Sequence, residues 1–272
     1  MHPLLLHLGH VAIPTYGACT ALALVLVLAV SVFAAKRAGL NADKVWNLDL
    51  VAILTALFVS RIVLILGDPN VYRKHPFWLL GLLTTPNIWL ALGGAFVGLL
   101  AALLYAMSAG LPLLKTADAL APAAAIAFAC NRIGAFLGGS AFGTPTHLPW
   151  CVVYRSPVAY LWYRVPLGVS LHPVQVYDAG TSFLLFLLLL WMGRPGGSGR
   201  DGEIAGTWLF LYGLIRFFLD FLRGDPTRIP VLGGALTLAQ TLCIVAVLFG
   251  GISWLLGSPK PTLMVADEKP TA

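Results

Sequence analysis

Charge is scarce in this sequence: 10% of its 272 residues are Asp, Glu, Lys or Arg, against about 25% in soluble domains. With 59% hydrophobic residues and a mean hydropathy of +0.87, the chain cannot clothe a water-soluble surface. Lipid is its natural solvent. Cysteine is also scarce. Cys19, Cys130 and Cys243 lie inside apolar runs and Cys151 in a polar loop, with no CxxC and no His/Cys cluster. Neither a disulfide framework nor a zinc site is indicated, and no metal or organic cofactor is expected. No Lys or Arg precedes the first apolar run, and that run, residues 11–35, is too long for the core of a signal peptide. It reads as a retained first helix. No internal repeat of the transporter kind is present. The net charge is +6, but no dense basic stripe exists, so nucleic acid is not the expected partner. The cations instead signal topology and attract anionic membrane lipid.

Seven stretches are long and apolar enough to cross about 30 Å of hydrocarbon. They cover residues 11–35, 48–67, 88–108, 119–137, 174–192, 204–222 and 233–256. The expected fold is an all-α integral membrane protein of about seven transmembrane helices, one polytopic domain over residues 1–257. The long segment at about 138–173, rich in Gly, Pro, Trp and Tyr, is expected to form a small outer-face cap. Residues 258–272 read as a disordered cytoplasmic tail. If the spans alternate, Lys36, Arg37, Lys44, Lys115, Arg194, Arg200, Lys260 and Lys269 share one side. Arg73, Lys74, Arg155, Arg164, Arg223 and Arg228 share the other. The bias places the N-terminus outside and the C-terminus in the cytoplasm.

Arg61, Asp118, Arg132, Asp178, Arg216 and Asp220 fall inside or at the edge of these spans. A charge at the bilayer centre costs about 2.5–3.5 kcal/mol on insertion scales, so each needs a partner, a wet cavity or a charged ligand. In span six, Tyr212, Arg216, Asp220 and Arg223 share one face of an otherwise apolar helix. An internal salt bridge that merely locks helices is one reading of that stripe. The surplus of arginines over aspartates favours the other, an anionic ligand, and guanidinium forks suit phosphate. Arg132 is followed by Gly134, Gly138, Gly139 and Gly143, which permit close backbone approach to a helix or ligand. Alone, His172 and Tyr16 read as interfacial residues.

Taken in order, these elements resemble the prolipoprotein diacylglyceryl transferase family. They are Tyr16-Gly17, Arg61-Ile62, a Gly-Gly stretch in span three, and Asp118 with Ala121-Pro122 opening span four. Arg132-Ile133-Gly134, the run HPVQVYD from His172 to Asp178, and YGLIRFFLDFLRGDP follow. The last two are the specific ones. The resemblance implies seven helices with the N-terminus outside, in the bacterial inner membrane. It also implies a reaction: the diacylglyceryl group of phosphatidylglycerol moves to the cysteine thiol of a pre-lipoprotein signal peptide, and glycerol-1-phosphate leaves. It assigns Arg132 and Arg216 to the phosphate, Tyr212 and Tyr16 to the cavity wall, and Asp220 and Arg223 to the end of the same signature. His172, Gln175 and Tyr177 would shape the outer part of the site, with Arg61 and Gly143 also on the substrate side. Two positions depart from the family pattern: Leu92 stands for its usual histidine and Ala135 for its usual asparagine. Leucine takes no proton, so the thiol proton would go to His172, a tyrosinate or solvent. Two other readings stay open: a divergent paralogue using the same lipid pocket for another acceptor, and a non-catalytic lipid-binding or transport protein.

Overall fold

The computed structural model describes residues 3–8, 11–67, 69, 73, 88–194, 197 and 200–256. The expected tail at 258–272 lies outside them. Among the described residues, six helices are long and apolar enough to cross a membrane, and a shorter apolar stretch covers Leu92–Ser108. In chain order the helices are α1 (Thr15–Arg37), α2 (Ala42–Gly67), α3 (Ile88–Ser108), α4 (Leu113–Gly138) and the short α5 (Pro157–Tyr163). Then come α6 (Val174–Met192), α7 (Glu203–Phe221) and α8 (Leu238–Leu256). The protein is an all-α membrane protein, as its composition predicts.

Four helix starts differ from the hydropathy reading by four residues or more: α2 begins at Ala42 rather than residue 48, and the other three have local reasons. The first helix begins at Thr15 rather than residue 11. Pro14 has extended backbone and precedes the first turn, since a proline further inside would remove a helical hydrogen bond. Val11–Pro14 (β2) instead pairs antiparallel with Leu4–Leu8 (β1). Helix α4 begins at Leu113, six residues before the expected start at 119, so Pro122 lies inside it rather than opening it. The proline is tolerated there because α4 is the central helix, packed along α1, α6 and α7. Helix α8 begins at Leu238 rather than residue 233. Pro230–Val231 (β5) and Leu236–Thr237 (β6) form a short hairpin before it. Its start is a capping box: the Thr237 N–H donates to Gln240 Oε1 at 2.9 Å, and the Gln240 N–H donates to Thr237 Oγ1 at 3.1 Å.

The packing is arranged for lipid. Phe58, Phe96, Phe249 and Leu255 point outward, whereas the buried line of α4 is small: Ala121, Ala123, Ala125 and Ala129. Small residues let helices approach where the hydrophobic effect supplies little drive. A Cβ on Gly250 would lie 2.7 Å from the Gly206 carbonyl, so α7 and α8 cross in near backbone contact. Asp118 is a cap supplied from another helix. Its carboxylate accepts from the Gly202 N–H at 2.8 Å and the Ala205 N–H at 2.9 Å, at the positive end of α7. That accounts for one intramembrane charge without a ligand. Asp49 accepts from the Ser31 hydroxyl and ties α2 to α1.

Residues 139–173 fold against the helix ends. Val152–Val153 (β3) pairs with Ser170–Leu171 (β4), and Phe142, Tyr154, Ala159, Val165 and Leu171 form a small core.

Candidate active site

Three helices bring their ionisable residues to one place. Pro173 leads into α6, whose buried face carries Gln175 and Asp178 three residues apart. Helix α7 buries Arg216 and Asp220, one turn apart. Arg132 approaches from the last two turns of α4. Together with Arg223 and the loop residue Ala141, Arg132, Val174, Gln175, Asp178 and Arg216 line a narrow cleft.

Asp178 stands between the two arginines. Its Oδ2 lies 2.7 Å from Arg132 Nε and 3.6 Å from Arg216 Nε. The shorter pair is close in distance, yet the Arg132 Nε–H is not aimed along it, and Asp178 Oδ1 accepts no hydrogen bond among the described residues. Arg216 reaches Asp220 Oδ1 only at 4.0 Å. It makes ion pairs but no directed hydrogen bond among the described residues. Its charge is therefore only partly offset, by carboxylates shared with other arginines, while its N–H fork stays available.

Arg223 differs. Its Nε and Nη2 each donate to Asp225 at 2.8 Å in a bidentate fork. Nη2 also reaches Thr227 at 2.9 Å, and Nη1 reaches Asp220 at 3.4 Å. Most of its donors are consumed, so Arg223 acts as a brace. Burial pushes the Asp225 carboxyl up, but the hydrogen bonds and charge of Arg223, with Thr227, outweigh burial and hold it below the usual carboxylate range. Asp220 is fully buried and also meets Arg228 Nη2 at 3.5 Å and the Thr237 hydroxyl at 2.6 Å. Four arginines face three aspartates in this region, which leaves an excess of positive charge beside the cleft.

The other residues singled out in the sequence take several positions. Tyr212 lies in side-chain hydrogen-bonding reach of Arg132, and its ring stacks on Phe128 at 5.0 Å and on Trp208 at 5.9 Å. Tyr16 accepts from Asn131 at 3.3 Å. Gln175 donates to the Ser140 carbonyl at 2.7 Å and to the Tyr154 hydroxyl at 3.3 Å, leaving its own carbonyl oxygen without a partner among the described residues. Burial pushes the Tyr154 hydroxyl up to about 12, against the lowering effect of Gln175. Tyr177 points away from the cleft, accepting from the exposed Trp150 indole at 2.7 Å. His172 is partly exposed and its backbone N–H donates to the Thr144 carbonyl at 3.0 Å; its Nδ1 is buried without a hydrogen bond among the described residues. Arg61 is on α2, which packs on α3 and α1, and does not line the cleft.

Gly143 is a backbone hinge point rather than a cleft wall. It bridges to Arg223, and a Cβ there would lie 2.4 Å from the His172 carbonyl oxygen. Gly143→Ala is expected to push the backbone segments at His172 and Arg223 apart and cost about 1–3 kcal/mol. The unfolding midpoint in detergent measures this; a wild-type midpoint would show that the crossing has slack.

Asn131, Asp225, Arg228 and Thr237 contact residues of this candidate site, and span-by-span hydropathy does not single them out. Asp225 and Arg228 lie past the end of α7, where a charge needs no explanation. Only the RGDPTR spacing, a cation flanked closely by an acid and a hydroxyl, hints at the brace.

A model of the prolipoprotein diacylglyceryl transferase family matches residues 3–256. A protein of Clostridium tetani named phosphatidylglycerol--prolipoprotein diacylglyceryl transferase is 31% identical over 83% of this chain and 87% of its own length. One of the same name from Synechococcus elongatus is 31% identical over 94% and 88%, and one from Bordetella avium 27% over 93% and 94%. On a match spanning nearly all of its length, the chain belongs to the prolipoprotein diacylglyceryl transferase family.

Proposed function

We propose that this protein transfers the diacylglyceryl group of phosphatidylglycerol to the cysteine thiol of a pre-lipoprotein signal peptide, in the bacterial inner membrane. The observation that carries the reading is the arrangement of Arg132 and Arg216: Arg132 half-buried and Arg216 buried between helices, sharing one carboxylate that offsets only part of their charge, and with donor groups left over. In the reaction the thiol loses its proton and the sulfur bonds to the glycerol carbon of the lipid. The bond from that carbon to the phosphate oxygen breaks, and glycerol-1-phosphate departs. Negative charge grows on the departing phosphate. Preorganised guanidinium donors in a water-poor cleft stabilise growing charge better than ground-state charge. Asp178 keeps the two cations folded in before the lipid arrives. Tyr212, fixed by Phe128 and Trp208, adds a hydroxyl beside Arg132. The thiol proton would go to His172, a tyrosinate or solvent. The Lys and Arg distribution supports an orientation with the N-terminus and residues 139–173 outside and the C-terminus in the cytoplasm, in which the cleft would open toward the face where signal peptides emerge.

One observation favours a second reading, a paralogue with the same lipid pocket and another acceptor. Leu92 is half-buried and Ala135 buried, so the two positions where the family resemblance implies polar groups are apolar here. A single test separates the readings. The chain is expressed in bacteria depleted of their own diacylglyceryl transferase, and lipid labelling of a model lipoprotein is followed. Growth with labelling is expected. No labelling, with the protein verified in the membrane, would overturn the proposal in favour of another acceptor or a lipid-binding role.

A further inference from the structure

Asn131 precedes Arg132 on α4 and puts a carboxamide against α1. Its Nδ2 lies 3.3 Å from Tyr16 Oη and 3.3 Å from Thr20 Oγ1. The Thr20 hydroxyl already donates to the Tyr16 backbone carbonyl at 2.9 Å. A hydroxyl carries one proton, so toward Asn131 the Thr20 oxygen can only accept. This fixes the amide: the NH2 end must face Thr20, because the flipped amide would set two oxygens together with no proton between them. The second N–H of that NH2 then points at Tyr16 Oη. Tyr16 is therefore an acceptor on this side, and its own proton is left for another group. Among the described residues its hydroxyl donates to no protein atom.

The Tyr16 ring is laid along α4. A Cβ on Gly134 would sit 3.5 Å from Tyr16 Cα, and one on Gly138 3.6 Å from Tyr16 Cβ. Asn131 lies two turns back from Gly138, about 10 Å along the axis, the reach of a tyrosine plus one hydrogen bond. The hydroxyl thus ends beside Arg132, with which it interacts electrostatically. Arg132 has donors only and cannot take the proton.

We propose that Asn131 is a positioning residue, holding Tyr16 so that its hydroxyl proton is donated to an anionic oxygen of the ligand bound by Arg132. The inference rests on the phosphate reading of the cleft. Asn131→Asp tests it with almost no change of shape. A carboxylate offers no proton, so the Tyr16 hydroxyl turns back and donates to it instead of to the ligand.

The experiment measures transfer from phosphatidylglycerol vesicles to a signal-peptide substrate by the full-length protein. The variants are Tyr16→Phe, Asn131→Asp and their combination, with Arg216→Ala as control. Tyr16→Phe and Asn131→Asp are each expected to lower kcat/KM by roughly tenfold to a hundredfold, the loss of one hydrogen bond to a charged group. The combination should lose no more than Tyr16→Phe alone, because the Asn131 change is silent once the hydroxyl is gone. Multiplying losses, or a wild-type rate for Asn131→Asp, would overturn the inference. Should Asn131→Asp fold poorly, Thr20→Val frees the amide to flip and should lower the rate only when Tyr16 is present. A fully active Arg216→Ala would sink the phosphate reading itself. An inactive Arg216→Ala beside a normal Asn131→Asp would sink only the role of Asn131.

Discussion

Replacing Arg216 with alanine is expected to remove lipid transfer by a factor of about 10²–10³ while the protein still inserts and folds. The two halves of this expectation have separate causes. Activity falls because Arg216 is the buried cation whose donors are least committed, with no contact to a carboxylate shorter than 3.6 Å. Those donors are the ones free to meet charge as it develops on the departing phosphate. Folding survives because neither partner carboxylate is orphaned. Asp178 retains Arg132 at 2.7 Å, and Asp220 retains Arg223, Arg228 and Thr237. Arg216→Lys should recover part of the rate, since it restores the charge without the planar fork. Transfer to a labelled signal peptide and detergent-solubilised yield, measured on the same preparations, check both halves. Normal transfer by Arg216→Ala would remove this residue from the site. Loss of yield along with activity would mean that its ion pairs hold the helices together.

The stripe on α7 was legible because it depends only on helical periodicity. Tyr212, Arg216, Asp220 and Arg223 share a face in any α-helix, and no solvent in a bilayer makes such a face cheap. Its division of labour was not legible. Whether Arg216 or Arg223 keeps free donors depends on where Asp178 and Asp225 fall, and these come from another helix and from the loop past the helix end. Hydropathy likewise locates helices but not their ends. Pro14, which cannot sit inside a helix without cost, and Thr237-x-x-Gln240, a capping box, were both written in the sequence. They set the starts of α1 and α8 more sharply than the apolar runs around them. The hydrogen-bond direction from Asn131 to Tyr16 lies furthest from sequence, because it needs the position of Thr20 on a facing helix.

Asp220→Ala is expected to damage stability and activity together, which separates it from Arg216→Ala. Asp220 is fully buried and serves four partners: Arg216, Arg223, Arg228 and the Thr237 hydroxyl. Its removal leaves Asp178 and Asp225 as the carboxylates beside Arg132, Arg216, Arg223 and Arg228. Like charges then repel in a water-poor setting, and breaking a buried ion pair in this way costs roughly 3–5 kcal/mol. The Thr237 contact adds a second route to the same loss. The threonine that takes part in the capping box of α8 donates to this carboxylate, so the change also loosens the junction between α7 and α8. Asp220→Asn keeps an acceptor for Thr237 and loses only the charge, and should fall between wild type and Asp220→Ala. Thermal unfolding in detergent is the measurement, with a drop of the midpoint on the order of 10 °C expected for Asp220→Ala. An unchanged midpoint would show that the arginines find other counter-charges, lipid phosphate foremost. The α7 end would then be held by packing, with Asp220 serving to tune the cations rather than to anchor the fold.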